Sequence, residues 1–455
     1  MIDPGRNVDP YLEYANKEGV RITAVTETHI HADLLSGLRE LSARTGAQMY
    51  LSDEGTEDWK YDFADDPKAT LVKDGDSVRI GKVRLDVLAS PGHTPEHISF
   101  ILTDVPASDR PLGAFTGDFM FVGDVGRPDL LEKAANVKGT MEPGARQLFS
   151  SIQKFRSFDD GLIIWPAHGA GSSCGKSLGG VPVSSLGYEK LSNWALKIDD
   201  EQEFVDEVLS GQPEPPTYFA MMKKLNKEGP TILGGFKMPP QIGGDRVLDL
   251  LESGEQVVDM RPVASAMDEP LKGALNIQMA KGFTNWCGWL LKYDEPIYLI
   301  AESEVDVEQA VLDLASIGLD DVKGWMGLDA IIAYERNQGP LSAVEQVDAS
   351  AMAERAVAGE CVVLDVRGTV EWLDGHVPNA VHIPLGHLEG RLDELPKDGK
   401  IAVHCAGGVR SATAISVLAK HGIKNVCNLT GGLDEYRMAG LPLETEEKDI
   451  ELAAN

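Results

Sequence analysis

The chain of 455 residues is long enough for about two to four domains, and its 43% hydrophobic content suffices for ordinary globular cores. A formal net charge of −30 argues against nucleic acid or an anionic membrane as a partner. Five scattered cysteines form no Cys-x-x-Cys pair, which argues against a disulfide framework and for a reducing, cytoplasmic compartment. No apolar run reaches membrane-spanning length and we see no leader, so we expect an unexported protein.

The first chemical feature follows a predicted strand near the N-terminus. A helix at about residues 9–18 precedes the β-branched run 20–25, which predicts a buried strand. In extended backbone, residues i and i+2 point the same way, so His29 and His31 can face one centre with Asp33 beside them. This density of ligand types favours a metal site over a pair of hydrogen-bonded loop histidines.

The elements that come next carry no obvious chemistry. A helical pattern covers residues 34–46 and ends at a glycine. Short strands are predicted near 69–73, 78–80 and 83–89, and the turn 73–76 predicts that the first two form a hairpin.

Three later motifs each place a histidine or an aspartate in a turn or at the end of a strand. They are Pro-Gly-His-Thr with His93, Thr-Gly-Asp with Asp118, and Pro-Ala-His-Gly with His168. Asp124 follows a second apolar run and is the alternative to Asp118. Since functional groups gather in loops at strand ends, this series predicts one shared metal centre.

The series of motifs resembles that of the metallo-β-lactamase superfamily, which implies an αββα sandwich with metal at one edge of its sheets. The runs 27–33, 126–129 and 169–175 resemble specifically its persulfide dioxygenase branch. The resemblance covers about residues 1–230, which we take as the first domain. Members of this family open with about two further strands, so we expect the N-terminal strands to be missing here.

The resemblance implies one iron ion rather than two zinc ions. The superfamily motif continues with a histidine that binds a second metal, and Leu34 occupies that position here. The dioxygenase branch implies one Fe(II) per chain, with zinc as the alternative, in a facial set that leaves positions open for oxygen and substrate. The metal ligands carried over from the family are His29, His93 and Asp118. The side chains expected to orient those ligands and water are His31, Asp33 and His168.

The second half of the chain contains an internal repeat. A Gly- and Pro-rich segment, 231–244, predicts a linker, and beyond it residues 257–261 match residues 363–367. Each copy alternates apolar strands with helices, which predicts an α/β domain with a parallel sheet. We therefore expect two such domains, at residues 245–340 and 345–445.

The two copies differ in one loop. In the second copy, a strand leads into the sequence Cys405, Ala406, Gly407, Gly408, Val409, Arg410 and Ser411. Converging N–H groups, a helix N-terminus and a cation should make Cys405 a nucleophilic thiolate rather than a buried inert cysteine. The loop resembles that of rhodanese sulfurtransferases, which implies that Cys405 carries a persulfide. The first copy has Ala301 and Asp306 at the positions of Cys405 and Arg410, so we expect it to be an inactive rhodanese-like domain.

The two resemblances imply one substrate class, sulfane sulfur. We expect a non-haem Fe(II) persulfide dioxygenase that oxidises a small thiol persulfide with O₂ to sulfite, coupled to sulfur transfer between sulfite and thiosulfate. Arg127 is the candidate for holding an anionic substrate or product by charge-assisted hydrogen bonds. Cys174, in a glycine-rich loop after His168, could accept sulfur near the metal or could be a packed small residue.

Two other functions stay open. A zinc-dependent thioester hydrolase of the glyoxalase II kind would attack with metal-bound hydroxide, although Leu34 removes a ligand from its second metal. A scaffold that only binds persulfides would need no catalysis, which the intact Cys405 and Arg410 argue against. The sequence does not identify the thiol that carries the persulfide, and it leaves a homo-oligomer open.

Overall fold

A computed structural model describes residues 1–135, 138–170, 172, 174–176 and 178–445. The chain divides into two compact units. The first comprises Met1–Phe236 with Ala315–Gly318, and the second comprises the rest of the described chain. None of the helices in the described ranges is long and apolar enough to cross a membrane.

The first unit combines strands and helices. Its strands are β1 (Ala24–Thr26), β2 (Gln48–Ser52), β3 (Ala69–Val72), β4 (Ser77–Ile80), β5 (Val83–Ala89), β6 (Ile98–Asp104), β7 (Gly113–Gly117), β8 (Ile163–Pro166) and β9 (Ser184–Ser185). Its helices are α1 (Asp9–Lys17), α2 (Leu38–Thr45), α3 (Leu130–Ala135), α4 (Met141–Phe155), α5 (Leu186–Ser192), α6 (Glu201–Leu209) and α7 (Phe219–Glu228).

These strands form two sheets with helices outside them. Strands β1, β2 and β3 are parallel, and β4 to β9 form a mixed sheet in sequence order. Val87 and Phe100 belong to an apolar cluster that includes residues of both sheets, while α4 and α6 pack on a second cluster around Ile164. Strands β5, β7 and β8 run in the same direction, so their carboxyl ends lie at one edge of the sheet. The predicted αββα sandwich is confirmed.

Two local predictions were wrong. Strand β3 pairs in parallel with β2, and β4 pairs antiparallel with β5, so the predicted hairpin of β3 and β4 does not form. The turn at residues 73–76 instead connects the two sheets, because Val72 and Val78 both enter the apolar cluster between them. The run 20–25 gives only the short strand β1.

The second unit also alternates strands with helices. Its strands are β10 (Gln256–Asp259), β11 (Leu275–Asn276), β12 (Ile297–Ile300), β13 (Val322–Met326), β14 (Glu345–Val347), β15 (Cys361–Asp365), β16 (Val381–His382), β17 (Lys400–His404) and β18 (Val426–Leu429). Its helices are α8 (Val247–Glu252), α9 (Val263–Asp268), α10 (Phe283–Leu290), α11 (Glu304–Ser316), α12 (Asp329–Gln338), α13 (Ala349–Val357), α14 (Thr369–Leu373), α15 (Val409–Lys420) and α16 (Gly432–Met438).

The internal repeat appears as two parallel sheets with the same strand order. The first sheet is ordered β11-β10-β12-β13, and the second is β16-β15-β17-β18 with β14 added at its edge. Both copies hold a buried, bidentate aspartate–arginine pair after the first central strand, Asp259 with Arg261 and Asp365 with Arg367. The predicted parallel α/β architecture is confirmed.

Candidate metal centre and cysteine loop

Three of the predicted ligands converge at the carboxyl ends of three strands. His29 follows β1, His93 lies in the turn after β5, and Asp118 comes directly after β7. All three side chains are buried, and one donor atom of each lies within 4.8 Å of the other two. The structure therefore brings together residues that are as much as 89 positions apart in the sequence, from His29 to Asp118.

Two glycines allow the backbone to reach this arrangement. Gly92 has φ +144°, and a Cβ atom there would lie 2.5 Å from the Cα of Leu148 on α4. Gly117 has φ +51°, and a Cβ atom there would lie 2.4 Å from Oγ1 of Thr28. Since side chains tolerate neither the positive φ nor such close approach, glycine is required beside both His93 and Asp118.

The hydrogen bonds of His29 fix which of its nitrogens is free. The Thr28 hydroxyl donates to Asp3 Oδ2 at 3.0 Å, so its only proton is used. The contact of 2.9 Å between Thr28 Oγ1 and His29 Nδ1 must then have the imidazole N–H as its donor. This leaves a lone pair on Nε2, which has no hydrogen-bond partner among the described residues.

His93 is oriented in the same way as His29, with Nδ1 as the hydrogen-bond donor and Nε2 facing the cluster. Its Nδ1–H donates to the carbonyl oxygen of Arg127 at 3.0 Å, and its Nε2 lies 3.5 Å from Asp118 Oδ2. Nε2 of His29 lies 3.9 Å from the same oxygen. Ligand atoms bound at about 2.0–2.2 Å to one metal stand roughly 3–4 Å apart, so the spacing fits a shared ion.

The electrostatics of this cluster also suit a cation. Burial, and then the neighbouring His31, lower the pKa of His29 well below its usual value, so this imidazole is neutral. Burial raises the pKa of Asp118, but the charges of His168 and His93 outweigh burial and hold it below its usual range. Neither oxygen of Asp118 has a hydrogen-bond partner of normal geometry in the part of the chain that is described. Two imidazoles whose Nε2 atoms face one buried carboxylate are a donor set that a metal ion satisfies.

The residues predicted to orient the ligands lie around the cluster. His31 contacts Asp3 through its Nε2 at 3.2 Å, and although burial lowers its pKa, that hydrogen bond and charge raise it to about 10. His168 Nε2 lies 3.2 Å from Asp33 Oδ2 and 3.3 Å from Asp118 Oδ1. Cys174 is buried beside them, and the loop residues Gly171 and Ser173 lie outside the described residues.

Arg127 and Asp124 are both held in hydrogen bonds that the sequence did not indicate. The Arg127 guanidinium is fully buried and donates to both oxygens of Asp129, at 2.8 and 2.7 Å, so it is not an open anion-binding group. Its backbone carbonyl instead orients His93. Asp124 accepts hydrogen bonds from Trp194 Nε1 and from the Lys176 N–H, and the cluster of His29, His93 and Asp118 does not include it.

Sequence reasoning missed two residues of this site. His97 accepts a hydrogen bond from the Asp118 N–H at 3.1 Å, and its Nδ1 lies 2.8 Å from Ser90 Oγ. Its position four residues after His93, in the same turn motif, was an available signal. Asp3 accepts the Thr28 hydroxyl proton and contacts His31, and nothing in the sequence connected it with this site.

The cysteine loop in the second unit is formed by a single stretch of chain. Cys405 follows β17, and the Gly408 N–H donates to its sulfur at 3.1 Å. The Ser411 hydroxyl lies 3.8 Å from the same sulfur, and helix α15 begins at Val409. Gly408 has φ +104°, a left-handed backbone conformation that favours glycine at this position.

Arg410 lies in this loop but is held by a carboxylate. Its guanidinium donates to both oxygens of Glu371, at 2.5 and 2.7 Å. Burial raises the pKa of Glu371, but the hydrogen bonds and charge of Arg410 outweigh burial and lower it. Glu371 lies on α14, and nothing in the sequence identified it as the partner of Arg410.

In the corresponding loop of the first repeat, an alanine and an aspartate stand where the second repeat has its cysteine and its arginine. Ala301 is buried at the position that follows β12, where Cys405 follows β17. Asp306 accepts a hydrogen bond from the Ser303 hydroxyl at 2.7 Å, so a carboxylate stands in the loop where the second repeat has a guanidinium. The aspartate–arginine pair is therefore shared by the repeats, while the nucleophile is not.

Two protein-family models match this chain, one in the region of the metal centre and one in the region of the cysteine loop. Residues 1–168 match the Metallo-beta-lactamase superfamily, and residues 348–439 match the rhodanese-like domain. The mitochondrial persulfide dioxygenase ETHE1 of Bos taurus is 30% identical over 209 residues, which are 44% of this chain and 68% of that protein. A sulfurtransferase of Allochromatium vinosum is 32% identical over 105 residues, 23% of this chain and 98% of that protein.

Two further relatives bear on the class. A hydroxyacylglutathione hydrolase of Chromohalobacter salexigens is 27% identical over 168 residues, 37% of this chain and 56% of that protein. The crystal structure of a metallo-beta-lactamase from Staphylococcus aureus is 40% identical with a TM-score of 0.64, and the match covers 72% of this chain and 90% of that one. The chain belongs to the metallo-β-lactamase superfamily. Within it, this chain has persulfide dioxygenases among its relatives and carries a C-terminal rhodanese-like domain.

Proposed function

We propose that the chain is a persulfide dioxygenase joined to a rhodanese-type sulfurtransferase. The observation that carries the proposal is the buried set of His29, His93 and Asp118, in which two imidazoles direct Nε2 at one carboxylate. Two histidines and one carboxylate are the ligands of non-haem Fe(II) oxygenases. The similarity to ETHE1 and to a sulfurtransferase supports the same assignment.

The metal centre would oxidise the terminal sulfur of a small thiol persulfide to sulfite. Bound Fe(II) would supply electrons one at a time to dioxygen, which otherwise reacts slowly with closed-shell sulfur. In the balanced reaction, persulfide anion, dioxygen and water give thiol, sulfite and one proton. The chain contributes the orientation of the ligands, since the Nδ1–H groups of His29 and His93 are both anchored. His168, which is partly exposed beside Asp118, is placed to hold a proton or a water molecule at the mouth of the site.

The cysteine loop would transfer the sulfane sulfur. A persulfide on Cys405 donates its outer sulfur to sulfite, which gives thiosulfate and returns the cysteine thiolate, and the reverse reaction loads the cysteine. The Gly408 N–H and the N-terminus of α15 both favour negative charge on the Cys405 sulfur. Arg410 is paired with Glu371, but its side chain is 22% exposed, unlike the fully buried Arg127, so it would contribute the cation that an anionic sulfur acceptor requires.

Cys174 is buried in a group with Asp33 and His168. Burial, and then the charge of Asp33, raise the pKa of its thiol well above the usual value, which disfavours the thiolate that a sulfur acceptor needs. Arg127 is left out of substrate binding, because its guanidinium is paired with Asp129.

The experiment that tests the proposal is anaerobic purification with metal analysis, followed by an oxygen-electrode assay on a thiol persulfide. We expect about one iron per His29–His93–Asp118 site and oxygen uptake that depends on the persulfide. Absence of persulfide-dependent oxygen uptake in the iron-loaded protein would reject the dioxygenase.

The second candidate is a thioester hydrolase, which the similarity to a hydroxyacylglutathione hydrolase favours. It needs metal-bound hydroxide and no dioxygen. Leu34 stands against it, since it occupies the position of a histidine in the superfamily motif. Thioester hydrolysis by the zinc-loaded protein, unchanged when oxygen is removed, would decide for this candidate.

A further inference from the structure

A cavity of about 430 Å³ lies between the two repeats of the second unit. Its walls come from the segment 266–276 of the first repeat, from residues 342–345 between the repeats, and from α15 with the loop that follows it. Volumes of this size are typical of sites that hold a small organic molecule. Strand β17 begins at Lys400, which lines the cavity, and ends before Cys405, so the cavity and the cysteine lie at opposite ends of that strand.

Most of the cavity wall is apolar. The side chains that form it from both repeats include Ala266, Met267, Leu271, Ile415, Ala419 and Ile423. On α15, Ile415 and Ala419 lie on the same helix face as Ala412, because the three follow one another at spacings of three and four residues. An apolar body that fills this space removes apolar surface from water, which favours binding.

One buried polar atom of the cavity wall lacks a donor. The Asn276 side chain is 6% exposed, and its Nδ2 donates to the carbonyl oxygens of Asp259 and Arg261 at 3.0 and 3.1 Å. Its Oδ1 is therefore the acceptor, and it has no hydrogen-bond partner in the described ranges of the chain. The neighbouring Ser416 hydroxyl accepts from the Asn276 N–H and donates its only proton to the carbonyl oxygen of Thr413. Since a buried acceptor without a donor costs free energy, an N–H or O–H group in the cavity would be stabilised by Asn276 Oδ1.

The charged side chains of the cavity favour an anion. Lys272 and Lys424 are exposed lining residues, and neither forms an ion pair with another residue that the structure describes. The charge of Lys400 is offset by its ion pair with Glu345. In a chain with a net charge of −30, two lysines without a carboxylate partner create a local positive potential at the mouth of the cavity.

We propose that this cavity binds a small organic acid that combines an apolar body with one N–H or O–H donor. The body would lie against the apolar wall, the donor would bind Asn276 Oδ1, and the acid group would face Lys272 and Lys424. The site is independent of the proposed function, because none of the residues that line it belongs to the metal centre or to the cysteine loop.

Isothermal titration calorimetry of the full-length protein with three probes of similar size tests each part of the proposal. Indole-3-acetate has an apolar ring system, one N–H and a carboxylate, and we expect one molecule to bind per chain. Naphthalene-1-acetate lacks the N–H and should bind about tenfold more weakly, because Asn276 Oδ1 then stays without a donor. Tryptamine keeps the ring system and the N–H but carries a cation in place of the carboxylate, so its binding should be weaker still.

Variants of the cavity locate the binding. The double variant Lys272→Glu with Lys424→Glu should raise the Kd of indole-3-acetate by about tenfold or more. Its matched control is Lys281→Glu with Lys420→Glu, which changes two exposed lysines outside the cavity by the same net charge and should leave the Kd unchanged. Ala419→Phe places a ring inside the cavity and should abolish binding at an unchanged melting temperature.

Three results would overturn the proposal. The first is the absence of indole-3-acetate binding at millimolar concentration, and the second is equal affinity for the three probes, since a merely apolar surface does not distinguish them. The third is binding that survives both Ala419→Phe and the lysine double variant but is lost in His93→Ala, which would place the carboxylate at the metal centre. None of these readouts depends on oxygen uptake or sulfur transfer.

Discussion

The metal centre and the cysteine loop obtain their chemistry from the chain in opposite ways. The metal centre collects side chains from the ends of β1, β5 and β7, and backbone and neighbouring groups only fix their orientation. The cysteine loop is one short segment, and its sulfur is held by a backbone N–H of the same segment. The first site depends on the packing of two sheets, whereas the second depends on one strand–loop–helix unit. This difference predicts that each site can be removed while the other continues to work.

The largest effect is expected for His93→Ala. The variant loses one of the two imidazoles proposed to bind the metal, and loss of a ligand should cost more than the roughly 10- to 100-fold that loss of an outer hydrogen-bond partner costs. We expect metal content and oxygen uptake to fall to background, while sulfur transfer from thiosulfate stays at the wild-type rate. Metal analysis and the oxygen electrode measure the first result, and a thiocyanate assay measures the second. Persistent oxygen uptake by the variant would contradict the ligand assignment.

Cys405→Ser is the reciprocal change. It removes the nucleophile and leaves the loop backbone in place, so thiosulfate sulfurtransferase activity should fall to background. Oxygen uptake on a small persulfide should be unchanged, because no ligand of the metal is touched. The matched control is Cys427→Ser, which changes another buried cysteine of the same unit. Loss of both activities in Cys405→Ser would show that the two sites do not work independently.

The sequence predicted the cysteine loop more completely than the metal centre, and the reason is physical. The cysteine loop is contiguous, so its nucleophile, glycines and cation could be named from the printed residues alone. At the metal centre, strand ends indicated His29, His93 and Asp118, and the structure brings these together. The sequence could not show that the Arg127 guanidinium forms an ion pair with Asp129, that Glu371 accepts hydrogen bonds from Arg410, or that Cys174 lies beside Asp33. The contacts of Glu371 with Arg410 and of Cys174 with Asp33 join segments that only the packed fold brings together. Arg127 and Asp129 are only two residues apart, but no periodicity or spacing predicts that their side chains pair.

The shared aspartate–arginine pairs allow a matched comparison of the two repeats. Asp259→Asn and Asp365→Asn each remove the bidentate carboxylate partner of a buried guanidinium, and leaving a buried charge uncompensated costs about 3–5 kcal/mol. Both variants should lower the free energy of unfolding in urea denaturation, and Asp259→Asn should lower it less, because Arg261 keeps Glu269 at 3.6 Å. Only Asp365→Asn should also slow sulfur transfer, because Arg367 donates to the carbonyl of Glu371, which holds Arg410. An equal loss of transfer in Asp259→Asn would mean that the first repeat takes part in the reaction.

A smaller effect is expected for Arg410→Lys. The charge is kept, but a lysine cannot make the two parallel hydrogen bonds that Arg410 makes with Glu371. We expect kcat/KM for sulfite to fall by about tenfold, which corresponds to about 1.4 kcal/mol. Steady-state kinetics with sulfite as the varied acceptor measures this change, and Arg410→Ala should lose more. Wild-type kinetics in both variants would remove Arg410 from the reaction.

The smallest effect is a pH dependence in the second repeat. Burial raises the pKa of Asp365, but the charge of His404 and the hydrogen bonds of Arg367 outweigh burial and hold that pKa below its usual value. An aspartate with a lowered pKa in the folded state stabilises the fold above its unfolded pKa of about 3.9, and this contribution disappears as pH falls through the folded value. The melting temperatures of the wild type and Asp365→Asn should therefore differ at about pH 6 and approach each other below about pH 4. A constant difference across that range would show that Asp365 stabilises the fold through packing rather than through its charge.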